Sequence, residues 1–186
     1  MDGRVADRAG RLADLVRAAP ARAGETRVLS IDGRSGAGKS TLAARVAREL
    51  AAPSVSLEHL YGGWDGLQAG IDRLVSAVLV PLAEGRTAQV PRNGWPDAGW
   101  LSPEPLAPPA VLVVEGVGAG ALAAAPFLSV LAWVELSEDA RRARAMARDG
   151  ALYEGHWEIW SEQEDEYIRR DRPAERADVI IDGSRA

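Results

Sequence analysis

The stretch LSIDGRSGAGKSTLAARV, residues 29–46, decides how this chain folds, and it holds the only lysine among 22 basic residues. Ahead of it, TRVLSID (26–32) is a short apolar run with β-branched residues, bounded by Gly33, which predicts a buried strand. Behind it, STLAARVARELAA (40–52) predicts a helix stopped by Pro53. Between the two, GRSGAGKS (33–40) has the spacing G-x-x-x-x-G-K-[ST] in the strand–loop–helix context that a phosphate-binding P-loop requires.

The residue types follow from the chemistry. Glycines let the backbone curl so that its N–H groups face phosphate oxygens, and the helix N-terminus behind them favours negative charge. Gly33, Ser35, Gly36, Ala37 and Gly38 are the expected cradle, and Lys39, Ser40 and Thr41 open the helix beneath it. Lys39 is expected to reach the β- and γ-phosphates, and Ser40 can ligate Mg²⁺. Arginine is no substitute, because its planar fork is larger and seeks bidentate partners. A tight loop needs a compact point charge.

Composition sets the bounds. A chain of 186 residues, 47% hydrophobic, suits one well-buried domain spanning 1–186. With no cysteine there is neither a disulfide framework nor a thiolate metal site, which fits a cytoplasmic protein. The opening MDGRVADRAGRLADLVRAAP carries charge throughout, unlike a secretory signal, and no apolar run is long enough to span a bilayer. A net charge of −5 argues against a general nucleic-acid surface. The expected partner is a small molecule, with neither nucleic acid nor membrane.

Outward from the P-loop, strands alternate with helices. A leading amphipathic helix (within 1–24) places Val5, Leu12, Leu15 and Val16 on one face. SVSL (54–57), AVLVVEG (110–116), SVLAWVEL (129–136) and ADVIIDG (177–183) are further strands. LQAGIDRLVSAVLVPL (67–82) has helical periodicity, Ser137 is the expected cap of SEDARRARAMARDG, and an acidic helix covers about 153–170. Residues 84–109, rich in glycine and proline, read as an ordered loop or small hairpin. The alternation predicts a parallel α/β sheet covered on both faces.

Four features carry further chemistry. Glu115 ends the most apolar strand, where P-loop proteins put an acidic residue at the metal. Arg141, Arg144 and Arg148 recur at i, i+3 and i+7, on one helical face suited to a migrating phosphoryl group. Glu58 follows the second strand, where a carboxylate can take a proton from an attacking hydroxyl; His59 beside it is the rival for that task. Tyr61, Trp64, Trp95, Trp100, Trp157 and Trp160 either stack on a planar substrate or fill core, and Trp133 within a strand belongs to the core.

Taken together, IDGRSGAGKSTLA, SLEHLYGGWDGL, VVEGVGAG, RRARAMARD and RADVIIDGS resemble the uridine kinase and phosphoribulokinase-like family of P-loop kinases, most nearly its short uridine kinase-like members. The resemblance covers about residues 27–183. It implies a three-layer P-loop fold, with a five-stranded parallel sheet flanked by helices and a lid with its following helix over 141–170. It also implies ATP as donor, Mg²⁺ as cofactor and an alcohol as acceptor. Lys39 and Ser40 then meet triphosphate and metal, Glu115 meets the metal, Arg141, Arg144 and Arg148 belong to the lid, and Glu58 is the base.

Two departures stand out. The family's base is aspartate, in an Asp-Asp-x-Tyr element, and here the pair is Glu58-His59. The sugar-contacting segment reads VPRNGWPDAGW (90–100), with Gly94 where an aspartate is expected, so that either Asp97 replaces it or no ribose diol is held. Arg92 and Trp95 in that segment join His59, Tyr61, Trp64 and Trp157 as acceptor-side candidates. Three readings follow: a uridine kinase-like enzyme, a kinase for a non-nucleoside alcohol (sugar, shikimate-like or antibiotic), or a nucleotide-binding protein without transfer activity. A guanine switch is excluded, because its N/T-K-x-D element needs a second lysine.

Overall fold

The strand ahead of the P-loop, β1 (Arg27–Asp32), is the centre of the molecule. A computed structural model describes residues 3–94, 99–150 and 155–185; for residues 3–7 and for Arg148, Asp149 and Arg185 it describes the backbone alone. Trp95 and Asp97 lie outside the described residues, as does the side chain of Arg148.

Strand β1 pairs in parallel with β5 (Val111–Glu115) on one side and β6 (Val130–Glu135) on the other. Outside these lie β2 (Ser54–Ser56) and β7 (Val179–Asp182), giving a five-stranded parallel sheet in the order β2-β5-β1-β6-β7. Alternate residues of each strand enter separate cores, as the two-residue period demands. Leu29, Ile31, Val113, Ala132 and Val134 pack under α1 (Gly3–Ala18) and α2 (Lys39–Glu49). Val28, Leu112, Val114 and Leu131 face the helices of the opposite layer. This is the α/β three-layer architecture expected from the sequence.

On α1 the buried face is Ala9, Leu12, Ala13 and Val16, whereas Leu15 stands 45% exposed. Leu15 is therefore not part of the docking stripe, and Ala13 is buried on it instead.

The second layer begins with α3 (Leu67–Arg73), which runs through a π-helical stretch, Leu74–Leu79, into α4 (Val80–Ala83). The ladder widens just ahead of Pro81, which has no N–H to give, and Val80 N–H bonds back to Val75 O. Residues between this helix and β5 form an antiparallel hairpin, β3 (Ala88–Asn93) and β4 (Trp100–Leu106). Its register shifts between Val90 and Arg92, at Pro91, where no N–H is available to the ladder. The Arg73 guanidinium lies 4.5 Å from the ring centre of Trp100 and clips the hairpin to α3.

Among the described residues after β6, three stretches are α-helical. Helix α5 (Glu138–Asp149) starts after Ser137, but the Ser137 side chain makes no capping bond, so it caps by backbone geometry alone. The acidic helix is α6 (Trp157–Asp171), followed by one turn, α7 (Pro173–Arg176), before β7. No described helix is long and apolar enough to cross a membrane.

Candidate active site

The P-loop joins β1 to α2 at the carboxyl edge of the sheet, where α/β folds bind ligands. Gly36 has φ +77°, and a Cβ there would stand 2.2 Å from Arg141 O; Gly38 has φ +103°. Only glycine permits both the turn and this approach to α5. Lys39 is buried, and its Nζ donates to Arg34 O across the loop at 2.9 Å. The first-turn N–H groups of α2 have no intrahelical acceptor and are available to an anion.

Beside the loop is a cavity of about 340 Å³. Gly36, Gly38, Lys39, Ser40 and Thr41 form its floor, Glu115 and Glu58 approach from the ends of β5 and β2, and Arg144 and Ala145 come from α5. Ser40 Oγ donates to Glu115 Oε2 at 3.1 Å, so a hydroxyl and a carboxylate already share one point in the cavity. A hard cation beside phosphate takes this donor pair readily. Among the described residues no group of three His, Cys, Asp or Glu could hold a metal ion.

Tyr61, Val117 and Trp160 make the remaining wall. Tyr61 and Trp160 meet edge to face, with ring centres 4.8 Å apart. Tyr61 donates its hydroxyl to Val117 O at 2.7 Å. Burial, then the Asp32 and Glu115 charges, push its phenol well above the usual range. It stays a neutral donor tied to backbone, and offers a ligand only its ring.

Several sequence candidates lie elsewhere. His59 and Arg92 line a second cavity of about 240 Å³ between β2 and the hairpin, separate from the P-loop cavity. Consecutive residues after β2 diverge, sending Glu58 to one cavity and His59 to the other. Arg92 pairs with Glu104 across the hairpin. Trp157 is buried in the core, and Trp64 is half-buried, stacked on His156 at 4.6 Å.

Arg141 does not share the open face of Arg144. It is buried, its Nε donates to Leu136 O at 3.2 Å, and its Nη1 faces Ser35 O at 3.5 Å. The helical spacing is right, but the first turn of α5 is tucked under the P-loop. Arg144 reaches the cavity rim and donates to Gly183 O at 2.9 Å.

Sequence reasoning passed over Asp32 and Glu164, two buried carboxylates that organise the site. Asp32 accepts from Gly33 N–H (2.6 Å), Gly118 N–H (3.2 Å), Gly120 N–H (2.7 Å) and Tyr167 Oη–H (2.5 Å). It thereby ties the P-loop, the turn after β5 and α6 together. Burial pushes its carboxyl up, against the pull of Tyr167, Gly120, Gly33 and the Lys39 charge. The only signal was an acidic residue closing an apolar strand.

Nearly the whole chain superposes on two solved structures. A protein provisionally assigned as a uridine kinase from Bacillus stearothermophilus matches at TM-score 0.70 and 21% identity, over 98% of this chain and 100% of the other. The chain has the P-loop kinase fold. A provisionally assigned kinase of a fructose transport system from Silicibacter sp. TM1040 matches at TM-score 0.61 and 17% identity, over 95% of this chain and 98% of that one. No family model matches the sequence, and no curated protein matches it.

Proposed function

We propose that the chain is an ATP-dependent kinase of the uridine kinase and phosphoribulokinase-like family, which transfers the γ-phosphoryl group to a hydroxyl of a small molecule. One observation carries the reading. Lys39, Ser40, Glu115, Glu58 and Arg144 converge on one cavity from four separate segments of the chain. Phosphoryl transfer needs positioning and charge stabilisation more than covalent help from the protein, and these residues supply both.

Lys39 releases Arg34 O to neutralise phosphate oxygens, and the first-turn N–H groups of α2 hold the rest of the chain of phosphates. Glu58 orients the acceptor hydroxyl and takes its proton as the new P–O bond forms and the bond to the β-phosphate breaks. Arg144 donates to the migrating group. Ser40 and Glu115 would hold Mg²⁺, which offsets charge on the β- and γ-phosphates when bound. The reading includes a cytoplasmic setting and excludes nucleic acid and membrane as partners.

Gly94 offers no side chain to a ribose diol, so unless Asp97 takes that place the reading favours an alcohol other than a pyrimidine nucleoside as acceptor. A site built without that polar pair gives up orders of magnitude in discrimination. The test is ADP release and product mass with ATP, Mg²⁺ and a panel of nucleosides, sugars, cyclic polyols and antibiotics. Transfer to a non-nucleoside alcohol supports the proposal. A uridine kcat/KM of about 10⁴ M⁻¹s⁻¹ or more rules out the acceptor class, and ATP binding with no transfer to anything favours a binding module.

A further inference from the structure

Ser35 lies in the first half of the P-loop, and each of its polar groups is held by the helices that follow β6. Its N–H donates to Glu164 Oε1 at 2.8 Å, its Oγ accepts from Trp160 Nε1–H at 2.9 Å, and its O faces Arg141 Nη1 at 3.5 Å. Glu164 is the hub of this contact. It is 1% exposed, and Oε1 also accepts from Trp160 Nε1–H at 3.0 Å. Its other oxygen lies 3.6 Å from Arg34 Nη1 and 4.0 Å from Arg141 Nη1. The second hand of Arg34 is taken by Asp165 Oδ1 at 2.5 Å.

A buried carboxylate is costly unless its partners are fixed, and here those partners are the P-loop itself and the start of α5. The same face of α6 reaches the other loops of the site. Gln163 donates to Trp64 O at 2.6 Å and accepts from Leu67 N–H at 3.3 Å, and Tyr167 donates to Asp32. Trp160, Gln163, Glu164 and Tyr167 recur at i, i+3, i+4 and i+7, one stripe of a helix.

We propose that Glu164 is a positioning residue for nucleotide binding: its buried carboxylate fixes the curl of the P-loop so that Lys39 and the first turn of α2 are presented to a triphosphate. It acts through Ser35 and Arg34, and never touches the phosphates. The inference rests on the nucleotide-site reading of the P-loop, but not on transfer to any particular alcohol.

The experiment compares the affinity of the unmutated protein and of Glu164→Gln for ATP and for inorganic triphosphate, by calorimetry on folded protein. Glutamine keeps an oxygen for Ser35 N–H but removes the charge that holds Arg34 and Arg141. The expected result is a loss of about tenfold for both probes, the scale of one charge-assisted contact, and an equal loss for the two, since the change acts at the phosphates. A lowered melting temperature with unchanged affinity of the folded protein makes Glu164 a packing residue and overturns the proposal. Should Glu164→Gln fail to fold, Trp160→Phe and Ser35→Ala each remove part of the same contact. Each should weaken both probes by about two- to fivefold, and no change in either variant also overturns it. An unmutated protein that binds ATP yet transfers to no alcohol sinks the kinase reading and leaves this one standing.

Discussion

The two cavities beside β2 are built in opposite ways. The P-loop cavity is lined by backbone in fixed curvature, a buried lysine and a Ser40–Glu115 pair, and it is backed by Asp32 and Glu164 with every oxygen engaged. The hairpin cavity is lined by exposed His59, by prolines and by the partly exposed Arg92–Glu104 pair. Buried, multiply bonded groups hold one geometry and present it to a ligand at no further cost. Exposed ion pairs contribute little and reorganise freely. Glu58 and His59, adjacent in sequence, fall on the two sides of this divide.

The sharpest way to break the contrast is at its centre. Lys39→Ala should abolish transfer, and Lys39→Arg should do nearly the same, because the fork does not fit where Nζ reaches Arg34 O. A Lys39→Arg variant with near-normal turnover would show that the loop is less tightly set than its geometry says. Next comes Glu58→Gln, expected to lower kcat by about 10²- to 10⁴-fold, the usual worth of a general base, while ATP affinity is kept. Equal loss of ATP affinity would make Glu58 a nucleotide contact instead.

Arg144→Ala should cost about ten- to a thousandfold in kcat, the scale of losing one donor to transition-state charge. Melting temperature should barely move, since the side chain is exposed and its described bond is to Gly183 O. A fall in melting temperature without a change in turnover per folded molecule would make this residue structural. The smallest effects belong to the hairpin cavity. His59→Ala and Arg92→Ala should change kcat by less than about threefold, as expected of groups outside the low-dielectric site. If His59→Ala proves the more damaging of the adjacent pair, the acceptor lies on the hairpin side.

How far the sequence reached depends on whether a feature is local. The strand–loop–helix around Lys39, the five strands and Trp133 in the core were all legible, because periodicity of two or 3.6 and a glycine-rich turn are written in consecutive residues. The hairpin was legible only as an ordered loop or hairpin, since Pro91, Pro103 and Pro105 mask its alternation. That Arg141, Trp157 and Arg92 do not line the P-loop cavity was not legible, for a common reason. Spacing gives the face of an element but not what packs on that face.

Sequence alone therefore determined the parallel sheet, the P-loop and the need for a lysine in it, because backbone curvature and charge size are local requirements. Tertiary structure alone decided that Glu58 and His59 part company, that Arg141 lies under the loop while Arg144 faces the cavity, and that Asp32 and Glu164 hold the site from behind. Those assignments depend on groups far apart in the chain meeting in space, by more than a hundred residues when Tyr167 bonds Asp32 and Glu164 bonds Ser35. Burial, which turns such a contact into a constraint, is a property of the assembled layers and not of any one segment.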